Sequence, residues 1–228
     1  MNLEEFEIQA TKVFKNGSTE LNGWFEDQNY TPICKTIIDS PNAQFYSVHF
    51  CILVLKRHVD FFFHIWDPDL RIQFCEWLFS LSISLERFLS TSTPLLGEYS
   101  VLTSLVLASG FDNDPRFPEL LKIRTSTEPA SPINNKICLN IFKETPQCMK
   151  TQHVTSFSDG PNTEIIRYAI NSIRMSPQTP EIIESALNVI QSCLKYCIQE
   201  NENKPDDFQN QIITIDQETK NILIIPAF

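Results

Sequence analysis

The chain has 228 residues, 42% of them hydrophobic and 20% charged, so it can fill a sizeable core and does not have the composition of a disordered segment. Eighteen basic against 28 acidic residues leave a formal charge of -10, which argues against nucleic acid or an anionic membrane as the main partner and favours a basic protein or peptide surface. Only 5 glycines are present against 14 prolines, which nearly excludes glycine-rich phosphate or dinucleotide loops.

In chain order, Leu3, Phe6, Ala10 and Val13 predict a helix over 3–14, ended by Asn16-Gly17. Asn16-Gly17-Ser18 matches a glycosylation acceptor, but the acidic, amphipathic N-terminus resembles neither a secretory signal nor a transit peptide. With seven scattered cysteines and no CxxC pair, the expectation is a reducing compartment. Thr31-Pro32 opens a second helix, with threonine as cap and Ile33, Ile37 and Ile38 on its apolar face. A third helix is predicted from 42 to 59, with Phe45, Val48, Ile52, Leu55 and Val59 in one stripe widened by Cys51 and Val54. Phe61, Phe62 and Phe63 then read as a plug between packed helices.

A fourth helix is predicted over 69–89, with Asp69 as cap and Leu70, Phe74, Trp77, Leu78, Leu81, Leu85 and Phe88 inward. Thr93-Pro94 starts the next, over roughly 94–109, carrying Leu95, Tyr99, Leu102, Leu105 and Val106, with Gly110 as its C-cap. A short segment over 118–123 comes after it. Ser131-Pro132 then starts a helix carrying Ile133, Ile137, Leu139, Ile141 and Phe142. The stretch 145–160 is polar and weakly patterned. Asn162 or Thr163 caps a helix through Met175, and Thr179-Pro180 opens a last one whose face is Ile183, Leu187, Ile190, Leu194 and Ile198. Strand patterning is confined to 212–215 and 222–225.

Eight to ten helices with polar links predict an all-α protein. The Thr/Ser-Pro starts at 31, 93, 131 and 179 suggest repetition on the scale of HEAT units, which occupy about 40–47 residues. The expected architecture is an α-solenoid of HEAT-like antiparallel helix pairs over 1–198, continued by an acidic polar loop and an apolar segment over 199–228. A closed helical bundle is the alternative.

Motifs for chemistry are weak. Cys193 and Cys197 lie four apart, but no histidine is near them in sequence, and His49, His58 and His64 fit no metal-ligand spacing. Asp112-Asn113-Asp114 lacks the remaining positions of a calcium loop. No GxSxG, Walker or Rossmann fingerprint appears. The expectation is a binding protein, not an enzyme, with no cofactor and no metal.

Several strings resemble the N-terminal arch of importin-β-like nuclear transport receptors (karyopherins), nearest to the exportin-7 and exportin-4 group. Thr31-Pro32-Ile33-Cys34-Lys35-Thr36-Ile37-Ile38 is similar to the second helix of the first repeat, and Asn42 to Val48 to the start of the next. Leu55-Lys56-Arg57-His58 through Trp66 is a looser match. Leu102 to Phe111 leading into Asp114-Pro115-Arg116-Phe117 is similar to the third repeat. Ala186 to Tyr196 resembles a later helix of the family, and Ile224 to Phe228 the segment after that helix.

The resemblance implies a right-handed superhelical arch that shuttles between nucleus and cytoplasm as a monomer. Its implied partners are the GTP form of a Ran-type small GTPase, protein cargo and the phenylalanine-glycine repeats of pore proteins. It also implies that exposed residues of the second-type helices face the GTPase: Lys35 and Asp39 in the first, Arg71, Gln73 and Glu76 in the next. Receptors of this kind are much longer. The implied chain is therefore an N-terminal portion, with apolar Ile222 to Phe228 at the start of a further repeat. A helical-repeat scaffold with no nucleotide-dependent role is the runner-up.

Overall fold

The computed structural model describes residues 3–154 and 156–200, with side chains omitted at 158, 159 and 197–200. The expectations for Cys197, Ile198 and the segment 201–228, its two strand-like runs included, lie outside the described side chains or residues. The described residues are all-α: α1 (Leu3–Asn16), α2 (Thr31–Ile38), α3 (Phe45–Phe62), α4 (Pro68–Ser84), α5 (Glu86–Leu89), α6 (Thr93–Phe111), α7 (Arg116–Ser126), α8 (Pro132–Thr151), α9 (Pro161–Met175) and α10 (Pro180–Glu200).

These helices stack as antiparallel pairs in two layers. One layer runs α1–α3–α6–α8–α10, each helix packed on the next. The other contains α2, α4, α7 and α9, with α4 on α7 and α7 on α9. α6 is the centre. It touches α3, α8, α4 and α7, and twelve of its residues are buried, Leu95, Tyr99, Leu102, Leu105 and Val106 among them. Its composition is apolar enough for a membrane span, and two thirds of that window is buried inside the protein. Neighbours on several sides explain the apolarity, because a helix covered all round has no face to spend on water.

Proline sets the helix starts, but the caps are not where the sequence placed them. Thr31 lies inside α2, preceded by Tyr30, which makes no side-chain cap. Asp67, not Asp69, caps α4, accepting from the N–H groups of Asp69 and Leu70. Ser92 caps α6 through the Leu95 N–H, and Ser131 caps α8 through Asn134. α9 begins at Pro161 after Gly160, so Asn162 and Thr163 are not its caps. Proline is the first residue of α4, α8 and α9, with the cap position just before it, and the second residue of α2 and α6, where Thr31 and Thr93 themselves take the first helical position and the cap position falls on Tyr30 and Ser92.

The expected 69–89 helix is interrupted at Leu85, which separates α4 from α5. Conversely α8 continues to Thr151 through Pro146. Proline removes one backbone donor there. The turn is supported by Thr145, whose hydroxyl donates to the Ile141 carbonyl (2.9 Å), which also accepts from Ser104 of α6 (2.9 Å). α8 ends with a left-handed His153 (φ 54). The His153 N–H donates to the Lys150 carbonyl and the Val154 N–H to that of Met149, the two bonds of a Schellman cap, while Val154 and Met149 are both buried.

Two apolar expectations are reversed. Leu70, expected inward, is 57% exposed. On α10 the buried stripe is Ile182, Ala186, Val189, Cys193 and Tyr196, one position away from the expected face; Leu187 is 55% exposed. Both stripes have helical spacing, and contact with α8 and α9 selects between them. Of the three phenylalanines, Phe63 is buried as a plug, whereas Phe61 is half exposed beneath the Arg57 guanidinium.

Gly110 is not the C-cap of α6; that position is Asp112. A Cβ on Gly110 would overlap the ring of Phe117, which is wholly buried on α7. Gly110→Ala is expected to lower stability by about 1–3 kcal/mol, seen as a lower urea midpoint with an unchanged m-value. His153→Gly relieves the positive φ and is expected to raise the same midpoint, by up to about 1 kcal/mol.

Candidate functional site

α2 and α4 leave an open groove of about 390 Å³ between them. Gln28 and Asn29 come from the turn Gln28–Tyr30, and Thr31, Pro32 and Lys35 from α2. Trp66 precedes α4, which supplies Leu70, Gln73 and Phe74. The floor is aromatic and aliphatic: Trp66 meets Phe74 edge to face at 5.2 Å, and Phe74 lies 5.4 Å from Trp77. The rim is amide, hydroxyl and one ammonium. An apolar floor with a few polar groups at the edge suits a side chain or short segment of another molecule.

The two helices are tied together by side chains. Lys35 Nζ lies 4.9 Å from the Trp77 ring and 5.8 Å from the Phe74 ring. Trp77 Nε1 donates to Asp39 Oδ1 at 2.9 Å. A cation over an aromatic face contributes about 0.5–1 kcal/mol at an exposed site. Here it also holds the ammonium at the groove edge.

Of the five residues that the resemblance singles out, Lys35 and Gln73 line this groove, while Asp39 lies outside it and holds Trp77, the ring under Lys35. Arg71 and Glu76 do not line it. Arg71 has a buried Nε without a hydrogen-bond acceptor and lies toward Asp114, outside the groove. Glu76 is exposed. Asp69, expected as a cap, instead accepts from Arg116 Nη1 at 2.6 Å. Arg116 also grips Asp114 at 2.7 Å and holds that carboxyl below the usual carboxylate range. Sequence reasoning missed Leu70 as an exposed residue and Trp66 and Trp77 as partly exposed ones, while Phe74 is buried as expected. The 70–74–77 spacing reads as core, and only the gap between α2 and α4 leaves Leu70 exposed.

A buried histidine positions the groove's upper end. His58 of α3 is fully buried; its Nε2 is 2.7 Å from the Trp24 carbonyl and its Nδ1 2.8 Å from Thr31 Oγ1. The neutral ring satisfies both contacts, donating to the carbonyl and accepting from the hydroxyl. Thr31 is thereby fixed at the start of α2. Burial lowers the His58 pKa, although the Trp24 carbonyl and Asp27 act the other way. His49, half-buried and stacked on Phe14 at 4.6 Å, shifts in the same direction for the same reason.

Other chemistry-bearing groups do not assemble. Among the described residues no group of three or more His, Cys, Asp or Glu is placed to hold a metal. Cys34, Cys51, Cys75 and Cys148 are buried as free thiols, and Cys193 is buried too. Burial raises Cys75 above its ordinary range and raises Cys148 to about 12, so neither is a thiolate near neutrality.

The histidine shifts set a pH dependence. The unfolded chain protonates these rings near their ordinary pKa of about 6.5, and the folded chain only at lower pH. Stability is therefore complete above about pH 6.5 and is lost as pH falls through the lower folded values. Urea midpoints measured from pH 7.5 to 5 are expected to show that loss. His58→Gln is expected to cost about 2–4 kcal/mol at pH 7.5, by orphaning buried partners, and to flatten part of the slope, leaving the part due to His49.

No family model matches this chain, and neither does any curated protein or solved structure.

Proposed function

We propose that this protein is a helical-repeat interaction scaffold whose work is binding, with no bond made or broken, and that the α2–α4 groove receives part of a protein partner. The observation that carries this reading is the groove itself. Trp66 and Leu70 offer apolar surface to solvent, Phe74 backs them, and Lys35 is held at the edge by Trp77. A stack of helix pairs offers such grooves along its length, so many moderate contacts can add up.

A narrower reading makes the chain an exportin-like transport receptor, or its N-terminal portion. The partners would be the GTP form of a Ran-type GTPase, protein cargo and phenylalanine-glycine repeats, with shuttling between nucleus and cytoplasm. It rests on the sequence strings, supported by the meeting of Lys35 and Gln73 at one groove. Nucleotide dependence separates the two.

The test uses the whole chain in two arms. A displayed peptide library is panned against it, and the Kd of enriched peptides is measured for the parent, for Leu70→Asp in the groove, and for Ile123→Asp on α7 outside it. The scaffold reading expects at least a tenfold loss, about 1.4 kcal/mol, for Leu70→Asp and little change for Ile123→Asp. Failure to enrich any peptide, or binding indifferent to Leu70, would overturn the groove assignment. In the second arm a Ran-type GTPase is titrated in its GTP and GDP forms. A tenfold preference for GTP would replace the scaffold reading with the receptor.

A further inference from the structure

α10 carries two apolar stripes, and the helices behind it bury one. Ile182, Ala186, Val189, Cys193 and Tyr196 are buried on the side that meets α8 and α9. Ile183, Leu187, Ile190 and Leu194 form the second stripe. Leu187 is 55% exposed and the other three are partly exposed. A helix with apolar residues on two faces is built for contact on two sides.

Within its layer, α3 is covered by α6, α6 by α8, and α8 by α10. The described residues contain no successor to α10. Beyond α10 the sequence continues through an acidic, polar stretch with Glu202, Asp206 and Asp207 to two apolar runs, Ile212-Ile213-Thr214-Ile215 and Ile222 to Phe228.

We propose that the outward stripe of α10 is the docking face for this chain's own residues 212–228. The reach is sufficient: Leu187 lies roughly 20 Å back along the helix from its end, at 1.5 Å per residue. The residues between α10 and Ile212 can span up to about 35–40 Å when extended. Covalent connection gives the segment an effective local concentration on the millimolar scale, which a second copy of the chain does not match at ordinary protein concentrations. The polar stretch then serves as the link, and the apolar runs supply what the stripe lacks.

The test again uses the full chain. A photo-crosslinking benzoylphenylalanine replaces Leu187, and the products are sized and mapped by peptide mass spectrometry. The expected product is a monomer crosslinked to residues 212–228. Crosslinks that yield a dimer, or that map elsewhere, would overturn the assignment. Hydrogen exchange keeps the test informative if the bulky residue perturbs α10. In the full chain bearing Ile213→Ser and Ile224→Ser, amides 183–194 are expected to exchange at least tenfold faster, while those of α6 are unchanged. Equal exchange across α10 in parent and variant would sink the proposal.

Discussion

The architecture depends on α6 being enclosed from several sides. Its buried residues face α3 and α8 within its own layer and α4 and α7 in the other. A strictly amphipathic helix could serve only one of these contacts. With apolar side chains round most of its circumference, α6 joins the first helix pairs to the later ones and gives both layers a common core. Gly110 extends the same logic to close range, since the absence of a side chain lets the Phe117 ring lie against the α6 backbone.

Buried polar bonds then fix how the helices sit along one another. Tyr99 of α6 donates to the Leu78 carbonyl of α4 at 2.6 Å. Asn134 of α8 donates to Ser82 of α4, and its neighbour Asn135 accepts from Tyr168 and Ser172 of α9, all at 3.0 Å. Apolar surfaces slide with little penalty, but a buried hydroxyl or amide that loses its partner does not. These bonds give the stack a defined register between α4 and α9. Surface left outside this framework is where binding energy is still to be gained: the α2–α4 groove near one end and the outward stripe of α10 near the other.

The groove joins local and tertiary causes. Asp67 caps α4 and starts it beside Trp66, while His58 anchors Thr31 from behind. Lys35, Trp77 and Asp39 then bridge two helices that share little backbone contact. The result is an apolar recess with fixed edges, so a partner would find it largely formed and would not have to order it.

Much of this was present in the order of residues. The all-α class follows from helical spacing, and the stripes of α3, α6 and α9 are buried as their periodicity requires, because a strong single pattern leaves one solution. The proline-marked starts appear close to their expected positions for a local steric reason. Where a segment offered two solutions, the sequence alone did not choose. α10 has two apolar stripes of equal spacing, and only contact with α8 and α9 decided that Val189 goes inward and Leu187 outward. Leu70 and Phe74 share one stripe, yet Leu70 is exposed on the α2–α4 groove and Phe74 is buried behind it. Local chemistry determined where helices form; the distances between helices decided which apolar residues became core and which became surface.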